Sequence, residues 1–416
     1  MSFTRNIALG ALIFAAIAAS AAGQTANTSF IPFAKFKADL SASHMQDFAR
    51  RQGAAVRDTA SFEEMRHYLL NIYDGVTVGH SFALDAQVFD CVPVMQQPGV
   101  RLNGITTLDT PPPPPAMQPG VEGVERHPGL CAAGTIPMRR ITLDEMTRFA
   151  TLQQFLHKSE GEADPHSGRA TQEHKYAFSY QYQKSNGTST ILNIWKPTIN
   201  QNKTQVFALS QSWDVGGSGS TTQTAETGWQ VYPSKYSSTA PTLFIYWTAD
   251  DYTKTGCYNL DCAAFVQKDN SVVLGGPLTP SMKGGKQREI VLSYYFYKGN
   301  WWLWSGTYIG YYPGKLYKSG ALSKHATFLE FGGEVVGTTS WPPMGSGELP
   351  SHGYKQAAYQ RSVWWLNAKN DAFDTVLTLD QEAPNCYLIA TTPAPGKSSW
   401  SKYPYFYFGG PGGKNC

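Results

Sequence analysis

All 11 tryptophans of this 416-residue chain lie at or after Trp195, and this asymmetry constrains the fold more than any other feature. A tryptophan needs an interior wide enough for its ring and a partner for its N–H. The chain before Trp195 has no such side chain to house, so it reads as two units with different cores. The pattern changes with the tryptophans. From about Lys175, alternating or aromatic runs are separated by Gly, Asn, Ser and Pro turns: residues 176–182, 191–195, 205–213, 228–232, 243–247, 263–267, 290–297, 302–308, 327–336, 358–365, 386–389 and 403–408. Many short strands with turn signals between them predict an antiparallel β-sandwich. No strong helical period and no internal repeat run through this part.

The front part reads differently. Ser61 followed by Glu64 is a capping-box pattern, and Phe62, Met65, Leu69 and Tyr73 recur at helical spacing. Residues 86–94 read as a strand, 111–119 as a solvated polyproline-type loop, and 142–157 as a second helix with Leu143, Met146, Phe149 and Leu152 on one side. A polar stretch, 160–171, reads as a linker. The expected fold class is therefore all-β: an antiparallel β-sandwich over 171–416, preceded by a smaller α+β unit over 24–170. Residues 1–23 read as a secretion signal, with Arg5 as the positive start, an apolar run from Ile7 to Ala19, and Ala19-Ser20-Ala21 as a small-residue cleavage site.

Hydrophobic residues make up 42% and charged residues 16% of the chain, so a large core is available. The net charge of +3 comes without a Lys/Arg run and gives no reason to expect a nucleic-acid partner. After the signal no segment is long and apolar enough to span a bilayer. Six cysteines, an even number, fit an oxidising compartment and a secreted protein. Cys257 and Cys262 enclose a short loop, Cys386 and Cys416 would tie the C-terminus to the body, and Cys91 would then pair with Cys131. Spacing suggests this connectivity among the several that six cysteines allow. No histidine stands near a cysteine pair at ligand spacing, so neither a metal nor a cofactor is expected.

Two stretches set a glutamate in apolar, aromatic and glycine-rich surroundings: Glu226-Thr227-Gly228-Trp229-Gln230, and Glu330-Phe331-Gly332-Gly333-Glu334. A carboxylate is costly to bury without a partner. Two converging in one cleft would push their pKa values apart, giving a general acid and a general base from one residue type. If Glu226 lies in a strand, Gly228 and Gln230 share its face, and a glycine there would leave room for a substrate backbone. Glu330 shares the face of Glu334 and is its main rival. The paired glycines 332 and 333 read equally well as a bulge. Other nucleophile signals are absent: Gly216-Gly217-Ser218-Gly219-Ser220 lacks the final glycine of a nucleophile elbow, and His325 and His352 have no motif around them.

Several stretches, in order, resemble the neprosin family of secreted glutamic endopeptidases that cut after proline. In the front unit they are Phe89-Asp90-Cys91-Val92, Gln97-Pro98 and the run from Cys131 to Arg140, which look like that family's activation propeptide. In the second unit they include Asn193-Ile194-Trp195-Lys196-Pro197, Glu226-Thr227-Gly228-Trp229-Gln230-Val231-Tyr232-Pro233, Tyr246-Trp247-Thr248-Ala249-Asp250, Gly256-Cys257-Tyr258-Asn259-Leu260-Asp261-Cys262 and Gly332-Gly333-Glu334-Val335. The resemblance implies an antiparallel β-sandwich whose cleft holds two catalytic glutamates, Glu226 and Glu334. It also implies that the front unit is the enzyme's own intramolecular inhibitor and that the partners are proline-rich peptides or proteins. The insert at 111–119 and Ala263-Ala264 after the Cys257–Cys262 loop depart from the plant pattern.

The expected chemistry is attack by water in acid, with one glutamate ionised and the other protonated. Gln211 and Gln230 are candidate oxyanion donors, and Trp213, Tyr246 and Trp247 are candidates for an aromatic pocket that takes the proline ring. Two rivals use the same residues otherwise: a β-sandwich glycosidase with paired carboxylates, and a lectin-like module needing the tryptophans and neither glutamate.

Overall fold

The computed structural model describes residues 30–113, 123–158, 172–393 and 402–416. The expected signal, the linker at 160–171 and residues 114–119 of the proline-rich stretch lie outside them. From Ile31 to Cys416 the chain packs as one unit.

In the front segment, strands β1 (His80–Leu84), β2 (Gln87–Pro93) and β3 (Thr135–Arg139) form an antiparallel sheet in that order, stapled by a Cys91–Cys131 disulfide. The helix Thr59–Ile72 buries Phe62, Met65 and Leu69, as their spacing requires. Its start differs from the sequence reading. Asp58 is the cap, accepting the Ser61 N–H at 2.7 Å, so Ser61 already lies inside the first turn and makes no box with Glu64. Residues 142–157 form two short helices, Leu143–Met146 and Leu152–Leu156, not one. Thr142 and Thr151 each cap one of them. The break turns Phe149 in against Phe155 and against Tyr232 of the following unit, with ring centroids 5.4 and 6.2 Å away.

The sandwich begins with β4 (Glu173–Ser185), β5 (Thr188–Asn193), β6 (Gln205–Gly216), β7 (Gln223–Val231), β8 (Thr242–Thr248), β9 (Cys257–Tyr258) and β10 (Val266–Gln267). It continues through β11 (Glu289–Tyr297), β12 (Asn300–Trp304), β13 (Tyr308–Pro313), β14 (Ala326–Gly337), β15 (Ala358–Leu366), β16 (Ala372–Asp374), β17 (Thr378–Gln381), β18 (Leu388–Ala390) and β19 (Tyr405–Gly409). The run expected at 302–308 crosses a turn, because Gly306 at φ +74° reverses the chain between β12 and β13. One sheet has the order β17-β4-β14-β6-β7-β8-β9. The other runs β10-β13-β12-β11-β5-β15-β19-β18, with β16 on β15. All pairings are antiparallel. The fold is thus the β-sandwich with an α+β front segment.

Every residue of β7 is buried, which is why its sequence does not alternate in polarity. Its odd-numbered side faces the other sheet: Trp229 Nε1 donates to the Asn193 carbonyl at 3.0 Å. Its even-numbered side carries Glu226 and faces the front segment. Trp301 fills the inter-sheet core, while Trp302 and Trp304 pack with Val100 on the outer side of the other sheet. Disulfides join Cys257 to Cys262 and Cys386 to Cys416. No helix among the described residues is long and apolar enough to cross a membrane.

Candidate active site

Strand register builds the site in three rows on one face of the first sheet. Glu330, Trp213, Glu226 and Tyr246 lie side by side across β14, β6, β7 and β8. The next row is Gly332, Gln211, Gly228 and Phe244, and the third is Glu334, Leu209, Gln230 and Thr242. The two glutamates therefore stand diagonally across a floor of two glycines. A Cβ on Gly228 would come within 2.0 Å of the Ser210 carbonyl oxygen, and one on Gly332 within 2.4 Å of that of Ala177. Close strand approach demands these glycines, rather than room for a substrate alone. Register is unbroken through Gly332 and Gly333, so there is no bulge. Beneath the floor, the buried Gln360 amide donates to the carbonyls of Gln211 and Gly332 at 3.0 and 3.3 Å.

Both glutamate side chains are fully buried, and one cation joins them. Lys158, from the end of the front segment, places Nζ 2.7 Å from Glu226 Oε2 and 2.7 Å from Glu334 Oε2. The two oxygens are thus no further apart than twice that distance. Glu226 Oε1 accepts from the Thr224 and Tyr252 hydroxyls at 2.8 and 2.7 Å. Glu334 Oε2 accepts from Gln211 Nε2 at 3.2 Å, and its Oε1 lies 2.6 Å from His174 Nδ1 and 3.5 Å from the Tyr176 hydroxyl.

Burial opposes the Lys158 charge, but Glu226 and then Glu334 outweigh it and hold the ammonium above its ordinary range. Burial likewise pushes the Glu334 carboxyl up, yet Lys158 and His174 prevail and hold it below the usual carboxylate range. Burial, and next the Glu226 charge, raise the Tyr246 and Tyr252 hydroxyls well above ordinary phenols, so both remain protonated. Glu330 is pushed up to about 7 by burial and then by the Glu226 charge; the lysine joins Glu226 and Glu334, not Glu330.

Lys158 is held in place by its own neighbours. Its backbone N–H donates to the Tyr246 hydroxyl at 3.2 Å, and Nζ stands 5.1 Å from the Trp213 ring centre. Three residues earlier, the Phe155 carbonyl accepts from the buried Lys235 ammonium at 2.9 Å, which also sits 3.8 Å above the Phe155 ring. Asp261 completes this anchor, 2.9 Å from Lys235.

Of the residues expected from sequence, Glu226, Glu334, Gln211, Trp213 and Tyr246 meet in this cleft. Gln230 shares the face, but its amide donates to the Tyr236 hydroxyl at 2.8 Å rather than to a glutamate. Trp247 is a correction: one residue beyond Tyr246, it points through the sheet to the opposite face, against Tyr312 and Tyr317. His352 pairs with Glu348 at 2.6 Å, outside the cleft. Lys158, His174, Tyr176, Thr224 and Tyr252 were not foreseen. Parity along β7 would have put Thr224 on the face of Glu226, but His174 and Tyr176 reach Glu334 only through the pairing of β4 with β14, and Lys158 and Tyr252 come from outside the strands with no local signal. Among the described residues no cluster of three or more His, Cys, Asp or Glu is arranged to hold a metal ion.

Fold and site together define an all-β protein with two buried, converging carboxylates. Residues 204–411, half of the chain, match the family model described as Neprosin. The chain belongs to the neprosin family, and peptidase activity comes with that membership. Among solved structures, a scytalido-glutamic peptidase with a transition state analog inhibitor is similar over 58% of this chain and 100% of its own, at 9% identity and a TM-score of 0.31. CG-16, a homodimeric agglutinin from chicken liver, is similar over 40% of this chain and 96% of its own, at 9% identity and a TM-score of 0.20.

Proposed function

We propose that this chain is the secreted, latent precursor of an acid-active glutamic endopeptidase that cuts peptide bonds after proline. The observation that carries the reading is the Lys158 ammonium, 2.7 Å from a carboxylate oxygen of both Glu226 and Glu334. A cation between two carboxylates stands where the attacking water of a paired-carboxylate hydrolase would stand. The front segment that supplies it acts as the enzyme's own inhibitor, removed by cleavage within 160–171.

In the released cleft, one ionised glutamate takes a proton from water as its oxygen attacks the peptide carbonyl carbon. The other, protonated, donates to the carbonyl oxygen, giving a neutral tetrahedral diol. The C–N bond then breaks, the amine nitrogen takes the proton held by the base, and a diol proton returns to the acid. One water is added and both glutamates regain their starting states. Gln211, whose amide donates to Glu334 at 3.2 Å, would hold the substrate or the water.

The preference for proline rests on family membership and on the aromatic lining. Trp213 and a β4 ladder of Tyr176, Phe178, Tyr180 and Tyr182, with ring centres 6.0–6.2 Å apart, lie on the glutamates' face. Flat pyrrolidine rings in an extended peptide pack well on such a surface. Secretion is supported by the three disulfides.

The test is cleavage of a quenched proline-containing peptide from acid to neutral pH by acid-processed protein, with fragments read by mass spectrometry. Wild type, Glu226→Gln and Glu334→Gln are compared. Acid-dependent cleavage after proline, strongly reduced in both variants while they stay folded, is the expected result. Release of reducing sugar with the peptide left whole would favour a glycosidase. Sugar binding without turnover would favour a lectin-like module.

A further inference from the structure

The two glutamates are not equivalent once Lys158 is gone. Glu226 Oε1 is held by two hydroxyls, those of Thr224 and Tyr252. A hydroxyl donates to a carboxylate or accepts from a carboxylic acid, so this environment serves either protonation state. Glu334 keeps two nitrogen partners, the Gln211 amide at 3.2 Å and His174 Nδ1 at 2.6 Å. An amide NH₂ only donates, and with its proton on Nδ1 the ring, whose Nδ1 also lies 3.2 Å from the Tyr176 hydroxyl, donates to the ionised carboxylate. The other ring nitrogen, Nε2, is buried without a partner among the described residues, so no competing acceptor turns the ring away. Phe207 closes one side of the imidazole edge-on, with ring centres 6.2 Å apart, and Tyr176 stacks on another at 6.0 Å.

We propose that His174 is a positioning residue of the reaction: it fixes Glu334 as the ionised base and leaves Glu226 as the acid. The inference rests on the peptidase reading above and deepens it. His174 does not touch the scissile bond; it acts through Glu334. During the cycle Glu334 takes the proton from water and passes it to the leaving amine, and the His174 N–H stays in place to favour the return to carboxylate. Gln211, on the other oxygen, directs the remaining lone pairs into the cleft. The charged groups that face this ring or its partner are Glu334 from β14, Lys158 from the front segment, Glu382 after β17 with Lys175 beside it, and Glu226 and Glu330 from their strands. Of these, Glu334 is in direct contact with the ring. Its carboxyl is already held low by Lys158 and His174 against burial, and the His174 part of that effect survives removal of the front segment.

The experiment uses acid-processed full-length protein and a quenched proline-containing peptide, with kcat and KM measured across pH for wild type, His174→Ala, His174→Asn, Glu226→Gln and Glu334→Gln. Alanine at 174 should lower kcat about 10-fold or more with KM within about twofold. It should also move the acidic limb of the profile up by about 1 pH unit, because the base loses its stabilising neighbour. Asparagine, whose amide nitrogen reaches about as far as Nδ1, should restore much of kcat. Glu226→Gln should retain more activity than Glu334→Gln, since a glutamine can still donate to the carbonyl oxygen and cannot act as a base. Equal kcat and an unmoved limb in His174→Ala would overturn the proposal while leaving the peptidase reading intact. So would greater activity in Glu334→Gln than in Glu226→Gln, or an asparagine variant no better than alanine. A processed wild type that cuts no peptide would overturn both.

Discussion

Replacing Lys158 by methionine keeps the length of the side chain and removes its charge from between Glu226 and Glu334. The ammonium makes two contacts of 2.7 Å, and its side chain is only 4% exposed. Without it, the closed form must hold two neighbouring buried carboxylates unneutralised, or draw a proton from solvent to share between them. Removing one partner of a buried ion pair costs about 3–5 kcal/mol, mostly through the charge left behind. At about 1.4 kcal/mol per power of ten, the ratio of closed to open cleft falls by a factor of about 10² to 4 × 10³. An open fraction too small to detect in the wild type then becomes a readable one.

The assay is turnover of the quenched peptide by unprocessed full-length protein in mild acid, with intact mass checked at each time point. Wild type should stay silent until its linker is cut, whereas Lys158→Met should turn over substrate with the linker whole. It should also unfold at a lower temperature than wild type near neutral pH, because the buried pair has lost its cation. Silence of the uncut variant, alongside full activity once it is processed, would refute the idea that the lysine holds the cleft shut.

Three further outcomes follow from the same structure. Burial lowers the His157 imidazole pKa, so docking of this segment is at full strength above the ordinary imidazole range and weakens as pH falls through it. The Glu334 carboxyl, raised by burial but lowered further by Lys158 and His174, contributes stability that is present above the ordinary carboxylate range and lost only as pH falls through its folded value. His157→Gln should therefore move self-processing, followed by intact mass, to lower pH, with the Glu334 step remaining. Asp214, fully buried with Thr188 donating to it, is pushed by burial up to about 7 from 3.8. A raised carboxyl pKa makes stability fall as pH rises between those two values, so Asp214→Asn should flatten this loss and gain up to about 4 kcal/mol relative to wild type at pH 8 in urea unfolding. Gly228→Ala drives a Cβ to 2.0 Å from the Ser210 carbonyl oxygen; it should cost about 1–3 kcal/mol in thermal or urea unfolding and lower activity more than Glu330→Gln does.

The sandwich was legible because its signal is local and repeated: short apolar or aromatic runs, a turn after each, and tryptophans confined to the part with a core wide enough to hold them. Strand parity then carried the reading into the site. It put Gly228 and Gln230 with Glu226 and kept Glu330 as the rival of Glu334, and the register does align these residues on one face. Parity also separated Tyr246 from Trp247, yet both were expected in the pocket; applying the period to β8 as strictly as to β7 would have sent Trp247 to the core. The helix at 142–157 failed for a different reason. Its apolar spacing is helical, but Thr151 offers a second cap, and turning Phe149 onto Tyr232 is a tertiary gain that no local pattern records.

What sequence could not supply is the meeting of distant segments. Lys158 is a single basic residue at the edge of a polar stretch, and nothing within ten residues of it marks it as the partner of two glutamates 68 and 176 positions away. His174 is one of three histidines in the second unit, and its value comes from the antiparallel pairing of β4 with β14, which sets Val336 opposite it and Glu334 two residues along the same face. Charge explains why these long-range contacts matter more than their number suggests. A buried carboxylate is tolerated only where its partners come to it, so two buried glutamates in the sequence already required cations or donors from elsewhere in the chain. Under the function proposed above, where those partners stand decides the chemistry: a cation from the front segment would silence the pair, and a nitrogen donor from β4 would make one member the base.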